Sequence, residues 1–275
     1  SNHGSYCGQT YRVGTGAALG DMVGMPHGKP DWKNSRFGLF IGTSPAQSGN
    51  PFQRVGRELA EARSRDENRY RYVVVSPMLP TSSSHAAGDN NRWLPVKPGS
   101  DLALAMGLIR WIIDNERYDA QFLSQPGPAA MAAVGEASWS NATHLLISEP
   151  KHPRYGQFLR GADIGLPMPE PVDDKTPAQD VFVVQLPGGQ LAPHTVAQAA
   201  ELLVEREKTH LPTAGASEAP TPIAVCSAFA KLRAESHRKT LDEYAALCGV
   251  PVKEIEDLAR EFTSHGKQAV ANSHG

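Results

Sequence analysis

The chain has 275 residues, 40% hydrophobic and 20% charged, with a formal net charge of −2. That balance excludes a general electrostatic attraction to nucleic acid or an anionic membrane, so partners must be sought in local sites. No run approaches the ~20 apolar residues of a membrane span, and no apolar signal-like segment opens the chain. Three cysteines, Cys7, Cys226 and Cys248, with no C-x-x-C pair among them, exclude a disulfide scaffold and a cysteine zinc array.

In chain order, SYCGQTYRVGTGAALG (5–20) comes first. Its glycines invite a dinucleotide reading, but a Rossmann fingerprint needs a strand directly before it, and here the third glycine falls one position late. Cys7 sits among glycines and polar residues, where a thiolate could face a ligand or simply be exposed.

From Arg36 the pattern becomes regular. RFGLFIG (36–42) predicts a buried strand, and TSPAQSGNP (43–51) a loop. FQRVGRELAEARSR (52–65) places Val55, Leu59 and Ala62 on one helical face. RYVVVSP (71–77) predicts a second buried strand stopped by Pro77, and RWLPVK (92–97) a third, short and near the sheet edge. Ser100 is a candidate N-cap for an apolar helix over 102–114, with Asp101 in its first turn.

This succession predicts an α/β fold, a mainly parallel Rossmann-like sheet with helices on both faces plus an irregular loop-rich extension. Such sheets bind ligands beyond the carboxyl ends of their strands. Those loops are Gly42–Pro51, Ser76–Ala86 and Lys97–Asp101. Gly42 admits close backbone approach; Thr43, Ser44, Thr81, Ser82 and Ser83 offer hydroxyls; loop amides and a helix start can hold phosphate without a basic cluster. Asp101, close to Gly99, is either an acceptor for a guanine edge or an ordinary first-turn carboxylate.

Further on, ATHLLIS (142–148) predicts a strand, 149–179 a surface run rich in proline and glycine, and DVFVVQLPGGQLAP (180–193) a hairpin turning at Pro187-Gly188-Gly189. AQAAELLVEREK (197–208) predicts a helix, and 213–222 a linker. TLDEYAALCG (240–249) carries a capping box and a glycine stop, KEIEDLAREFTSHG (253–266) an amphipathic helix closed by Gly266, and QAVANSHG a strand entering a loop. Cys226 and Cys248 read as buried small hydrophobes. His3, His27, His85, His144, His152, His265 and His274 are not at metal-ligand spacing, and most are expected at the surface or in packing. The expected organisation is a lead-in segment over 1–35, an α/β core over 36–150 and a loop-rich extension over 151–275 packed into the same domain.

DWKNSRFGLFIGTSPAQSGNP (31–51), followed by YVVVSPMLPTSSSHAAGDNNRWLPVKPGSDLALAMGLIRWIIDNERYDAQFL (72–123), resembles the molybdopterin oxidoreductases of the dimethyl-sulfoxide-reductase superfamily. Those proteins carry a strand ending in a Gly-(Ser/Thr)-X-Pro-like loop, a strand ending near proline, and a PG(T/S)DxAL segment. A wider match, from SNHGSYCGQTYR to LAREFTSHGKQAVANSHG, is most similar to the members acting on tetrathionate. The resemblance implies a molybdenum bis(molybdopterin guanine dinucleotide) cofactor, with Cys7, 32 residues ahead of Leu39, as the protein ligand to the metal. A soft thiolate suits a metal already held by dithiolene sulfur.

The same resemblance places Gly42, Thr43 and Ser44 along the dinucleotide, Ser76 and Thr81 at ribose or phosphate, and Asp101 on guanine, with Lys97 and Gly99 of the adjoining loop also expected to bind the cofactor. Many relatives have an acidic residue where this chain has Ser76. The resemblance further implies an internal segment of a longer periplasmic protein, inactive alone. That protein would have a 4Fe-4S cluster outside this chain, an iron–sulfur partner subunit, a membrane anchor subunit, and tetrathionate as substrate. Thiosulfate, polysulfide, arsenate or selenate reduction, and a non-redox guanine-nucleotide-binding module, are the competing readings.

Overall fold

The computed structural model describes residues 30–43, 52–65, 70–79, 91–168, 179–210 and 222–273. They fall into two compact units, one over 119–235 and the other over 30–118 with 236–273. These divisions do not coincide with the boundaries expected after residues 35 and 150.

β1 (Phe37–Ile41) is buried along nearly its whole length, as befits a strand covered on both faces. Gly38 makes this possible: a Cβ there would stand 1.9 Å from the Tyr70 hydroxyl oxygen. α1 (Phe52–Arg63) turns Leu59 and Ala62 inward, with Val55 partly buried beside them. β2 (Arg71–Val75) alternates: Tyr72 and Val74 pack with Trp32, Phe40 and α1, while Val73 and Val75 face the other way. β3 (Asn91–Leu94) follows, then α2 (Asp101–Asp114), which buries Leu104, Gly107, Leu108, Trp111 and Ile113. Ser100 occupies the N-cap position without capping, because its hydroxyl donates to the Lys97 carbonyl at 2.6 Å.

The other unit begins with the short helices α3 (Ala120–Leu123) and α4 (Pro128–Ala133). β4 (Leu145–Ile147), β8 (Pro222–Ser227) and β7 (Glu205–His210) form an antiparallel sheet in the order β4-β8-β7. β5 (Val183–Gln185) and β6 (Leu191–Pro193) make the expected hairpin, with Gly188 and Gly189 at φ 93° and 86°. α5 (Ala228–Ser236) follows β8.

The helix predicted over 197–208 is not formed. Its backbone amides are drawn outward instead: Ala200 donates to Ser124, Glu201 to Gln185, and the Ser227 hydroxyl bonds the Leu202 carbonyl at 2.6 Å. The end of the segment pairs as β7 with the β-branched strand β8. Tertiary pairing overrides the helix propensity of its alanines and leucines.

His144 is fully buried in this unit, with Nε2 2.8 Å from the Pro126 carbonyl and its ring stacked on Phe182 at 4.8 Å. His194 lies edge-on to the His144 ring at 5.3 Å, and the Arg160 guanidinium sits 3.9 Å over Phe182. His144 Nδ1 has no hydrogen-bond partner. Burial lowers the His144 pKa to about 4 and also lowers that of His194.

The chain returns to the first sheet through α6 (Leu241–Cys248), whose capping box forms as expected: Thr240 N–H to Glu243 Oε2 at 2.6 Å, and Glu243 N–H to Thr240 Oγ1 at 3.2 Å. Gly249 ends it at φ 74°. α7 (Val252–Thr263) buries Ile255, Leu258 and Ala259 and stops three residues before the expected Gly266. β9 (Ala269–Asn272) then pairs in parallel with β1. The completed sheet runs β3-β2-β1-β9, every neighbour parallel. α1 covers one face, and α2, α6 and α7 the other, so the expected fold class is observed. Cys226 and Cys248 are buried free thiols, as their surroundings in the sequence predict.

Two outcomes follow from this packing. Gly38→Ala is expected to destabilise its unit by about 1–3 kcal/mol, and Tyr70→Phe in the same chain to recover part of the loss, because it removes a buried hydroxyl that has no partner. Denaturant midpoints of the single and double variants check this. The second concerns acid. A free histidine takes its proton near pH 6.5, but folded His144 only near 4, so between these values the unfolded chain holds the extra proton. Stability should be whole above pH 6.5 and fall by about 1.4 kcal/mol per pH unit toward 4. His144→Phe should flatten that slope in an unfolding titration, with His194 retaining a smaller contribution.

Candidate site at the carboxyl edge of the parallel sheet

Strand register brings the candidate loops together. Ile41 pairs with Val75 and Val75 with Leu94, so Gly42, Ser76 and the segment after Leu94 emerge side by side on one sheet edge. Two backbone bonds extend the ladder past the strands, Gly42 N–H to Val75 O at 2.9 Å and Ser76 N–H to Leu94 O at 3.2 Å. On the other flank Phe40 pairs with Asn272, so β9 ends two residues short of Gly42. The chain steps from β1 outward through β2 and β3, yet β9 lies on the opposite side of β1. This reversal of strand order at β1 is where open α/β sheets form a ligand crevice.

Gly42 leaves β1 with φ +63°, and among the described residues a Cβ placed there would meet nothing within 4 Å. The backbone is turned out and uncovered, ready for close approach by a ligand. Thr43 beside it is buried. Ser76 is partly buried and Pro77 exposed, with Met78 and Leu79 projecting beyond them. In the third loop Gly99 has φ +72°, and among the described residues nothing lies within 4 Å of its Cβ position. Asp101 is an exposed first residue of α2, where the helix dipole favours an anionic neighbour. The predicted residues Gly42, Thr43, Ser76, Lys97, Gly99 and Asp101 thus belong to one sheet edge. Cys7, Ser44 and Thr81 lie outside the described residues.

Two side chains modify the expectation. Lys97 is exposed, but its ammonium donates to the Ala246 carbonyl at 2.8 Å, near the end of α6. Trp93, which the sequence pattern assigns only to a strand, donates its indole N–H to the Ser76 carbonyl at 2.8 Å while 41% exposed. A tryptophan on an edge strand, with an apolar body and one polar tip, was the signal available for it.

Among the described residues no group of three or more His, Cys, Asp and Glu could hold a metal ion. Nor is any of their helices long and apolar enough to cross a membrane. The unit over 119–235 has a groove of about 270 Å³ lined in part by Tyr155, Lys231 and Cys226. Lys231 is engaged there by Glu235 and the Tyr155 hydroxyl, and burial raises the Cys226 pKa, which favours the neutral thiol.

The glycines at this strand-order reversal lie where open α/β sheets bind ligands, and comparison with known proteins adds what the chain is similar to. The chain is 45% identical over 273 residues to a tetrathionate reductase subunit of Salmonella typhimurium, covering 99% of this chain and 25% of that protein. It is also 28% identical to a putative dimethyl sulfoxide reductase chain of Escherichia coli, over 58% of this chain and 17% of that protein. A selenate reductase subunit of Mesobacillus selenatarsenatis is 32% identical over 90% of this chain and 21% of its own length. A sulfite dehydrogenase subunit of Allochromatium vinosum is 25% identical over 94% and 23%. No family model matches the chain. The chain thus spans about a quarter or less of the length of these relatives.

Trp93→Phe keeps the ring but removes the bond to Ser76. It should cost about 1 kcal/mol of stability and speed amide hydrogen exchange over Ser76 and the residues after it, while exchange within β1 stays unchanged.

Proposed function

We propose that the chain is the dinucleotide-binding part of a molybdenum reductase that converts tetrathionate to thiosulfate. The observation that carries this reading is the carboxyl edge of the parallel sheet, where Gly42 and Gly99 present uncovered backbone beside the start of α2. These features fit the guanosine and phosphate end of a molybdopterin guanine dinucleotide. The loop amides after Gly42 and at the start of α2 would meet phosphate, as backbone N–H groups at helix starts do. Thr43 and Ser76 would bond ribose or phosphate, with Ser44 and Thr81 from the same loops. The exposed carboxylate of Asp101 would accept hydrogen bonds from the guanine N1–H and N2–H₂ edge.

Cys7 would be the thiolate ligand to molybdenum, a soft donor matched to a metal held by sulfur. When bound, this group supplies the two electrons that cleave the central S–S bond of tetrathionate and release two thiosulfates. The chain's own part is to bind and orient the dinucleotide. In this reading the longer protein binds two such dinucleotides and carries a 4Fe-4S cluster outside the present chain. It works on the periplasmic side of the membrane with two partners, one an iron–sulfur subunit, the other a membrane anchor. The similarity to a tetrathionate reductase over 99% of the chain favours tetrathionate among the possible substrates. Selenate is the second reading, favoured by the 32% identity to a selenate reductase.

The test uses the longer protein. Cys7→Ala should abolish tetrathionate reduction while both pterin dinucleotides remain bound. Asp101→Ala should instead lower the guanine nucleotide released from the purified protein on denaturation. Full activity of the first variant removes the metal-ligand role, and full occupancy of the second removes the guanine contact. Turnover of selenate but not tetrathionate by the wild type would favour the second reading.

A further inference from the structure

By residue type a lysine in a ligand loop suggests a phosphate contact, but three features of Lys97 point elsewhere. Its backbone N–H donates to the Cys248 carbonyl at 2.9 Å, and its ammonium to the Ala246 carbonyl at 2.8 Å, both on the last turn of α6. Between these bonds its stem lies against Gly249, where a Cβ would come within 3.0 Å of both Cγ and Cε. Gly249 is the left-handed cap that ends α6, at φ 74°. A cation bonded to the final carbonyls is where the helix dipole favours it.

The far side of Lys97 holds the ligand loop. Its carbonyl accepts from the Ser100 hydroxyl at 2.6 Å and from the Ser100 N–H at 3.2 Å, closing the turn that contains Gly99 and delivers Asp101 to the start of α2. One residue thus fastens the end of α6 to the loop preceding α2.

We propose that Lys97 is a positioning residue: it clamps the Gly99–Asp101 loop against the carboxyl end of α6 and does not itself contact the anionic ligand. The ligand part of this inference rests on the dinucleotide reading above; the clamp rests on the geometry alone. It also gives a reason for glycine at position 249 beyond its backbone angle, since any side chain there would push against the lysine stem.

The experiment uses the 275-residue chain with guanosine diphosphate as the probe, measuring affinity at two salt concentrations and amide hydrogen exchange. Lys97→Met retains the stem and loses the ammonium, so exchange at Gly99, Ser100 and Asp101 should rise about fivefold or more. Its affinity for the probe should weaken with the same salt dependence as the wild type, because no charge leaves the phosphate site. Lys97→Arg, which keeps a donor for the Ala246 carbonyl, should restore most of both properties. Unchanged exchange in Lys97→Met would overturn the clamp, and a flattened salt dependence would show direct phosphate contact instead. If the wild type binds no guanosine diphosphate, the exchange result still decides the clamp, and the missing binding counts against the dinucleotide reading.

Discussion

The unit that carries the site depends on the parallel pairing of β9 with β1, where Phe37 to Phe40 meet Ala269 to Asn272. It joins the beginning of the described chain to its end and closes the covered sheet. Without it β1, apolar on both faces, would lie at an edge with its backbone groups unpaired. The same pairing carries α6 and α7 onto the face already occupied by α2, where Leu104, Leu108, Ile255 and Leu258 share one core. It also creates the reversal of strand order at which open α/β sheets bind their ligands, at the carboxyl end of the strands.

At that end, shape comes from residues with little chemistry of their own. Gly42 and Gly99 turn the backbone outward at angles that side-chain-bearing residues rarely adopt. Trp93 holds the second loop by one indole bond, and Lys97 holds the third against α6. The groups suited to a nucleotide are hydroxyls, amides and one carboxylate, so binding there would rest on placement more than on net charge. That agrees with a chain whose formal charge is −2.

The other unit shows the limit of local patterns. Glu205–His210 follows a run of alanines and leucines, and nothing in its own residues announces a strand. Its state is decided by β8 beside it and by amides drawn to Ser124 and Gln185. His144 is likewise unremarkable in sequence, yet it lies fully buried against Phe182 and His194, which come from distant segments.

Strong local signals were sufficient by themselves for β1, β2, α1, α2, the hairpin at Gly188-Gly189 and the capping box at Thr240, because each is set by residues only a few positions apart. The strand ends then located Gly42, Ser76 and the Lys97–Asp101 loop as one candidate site, and the spacing of PGSDLAL carried the resemblance to a family. Tertiary structure alone decided which strand lies beside β1, that β7 is a strand, that Trp93 reaches Ser76, and that the Lys97 ammonium turns to α6. Each of these rests on a partner far away in sequence, and a side chain's bonding is fixed only when that partner is folded beside it.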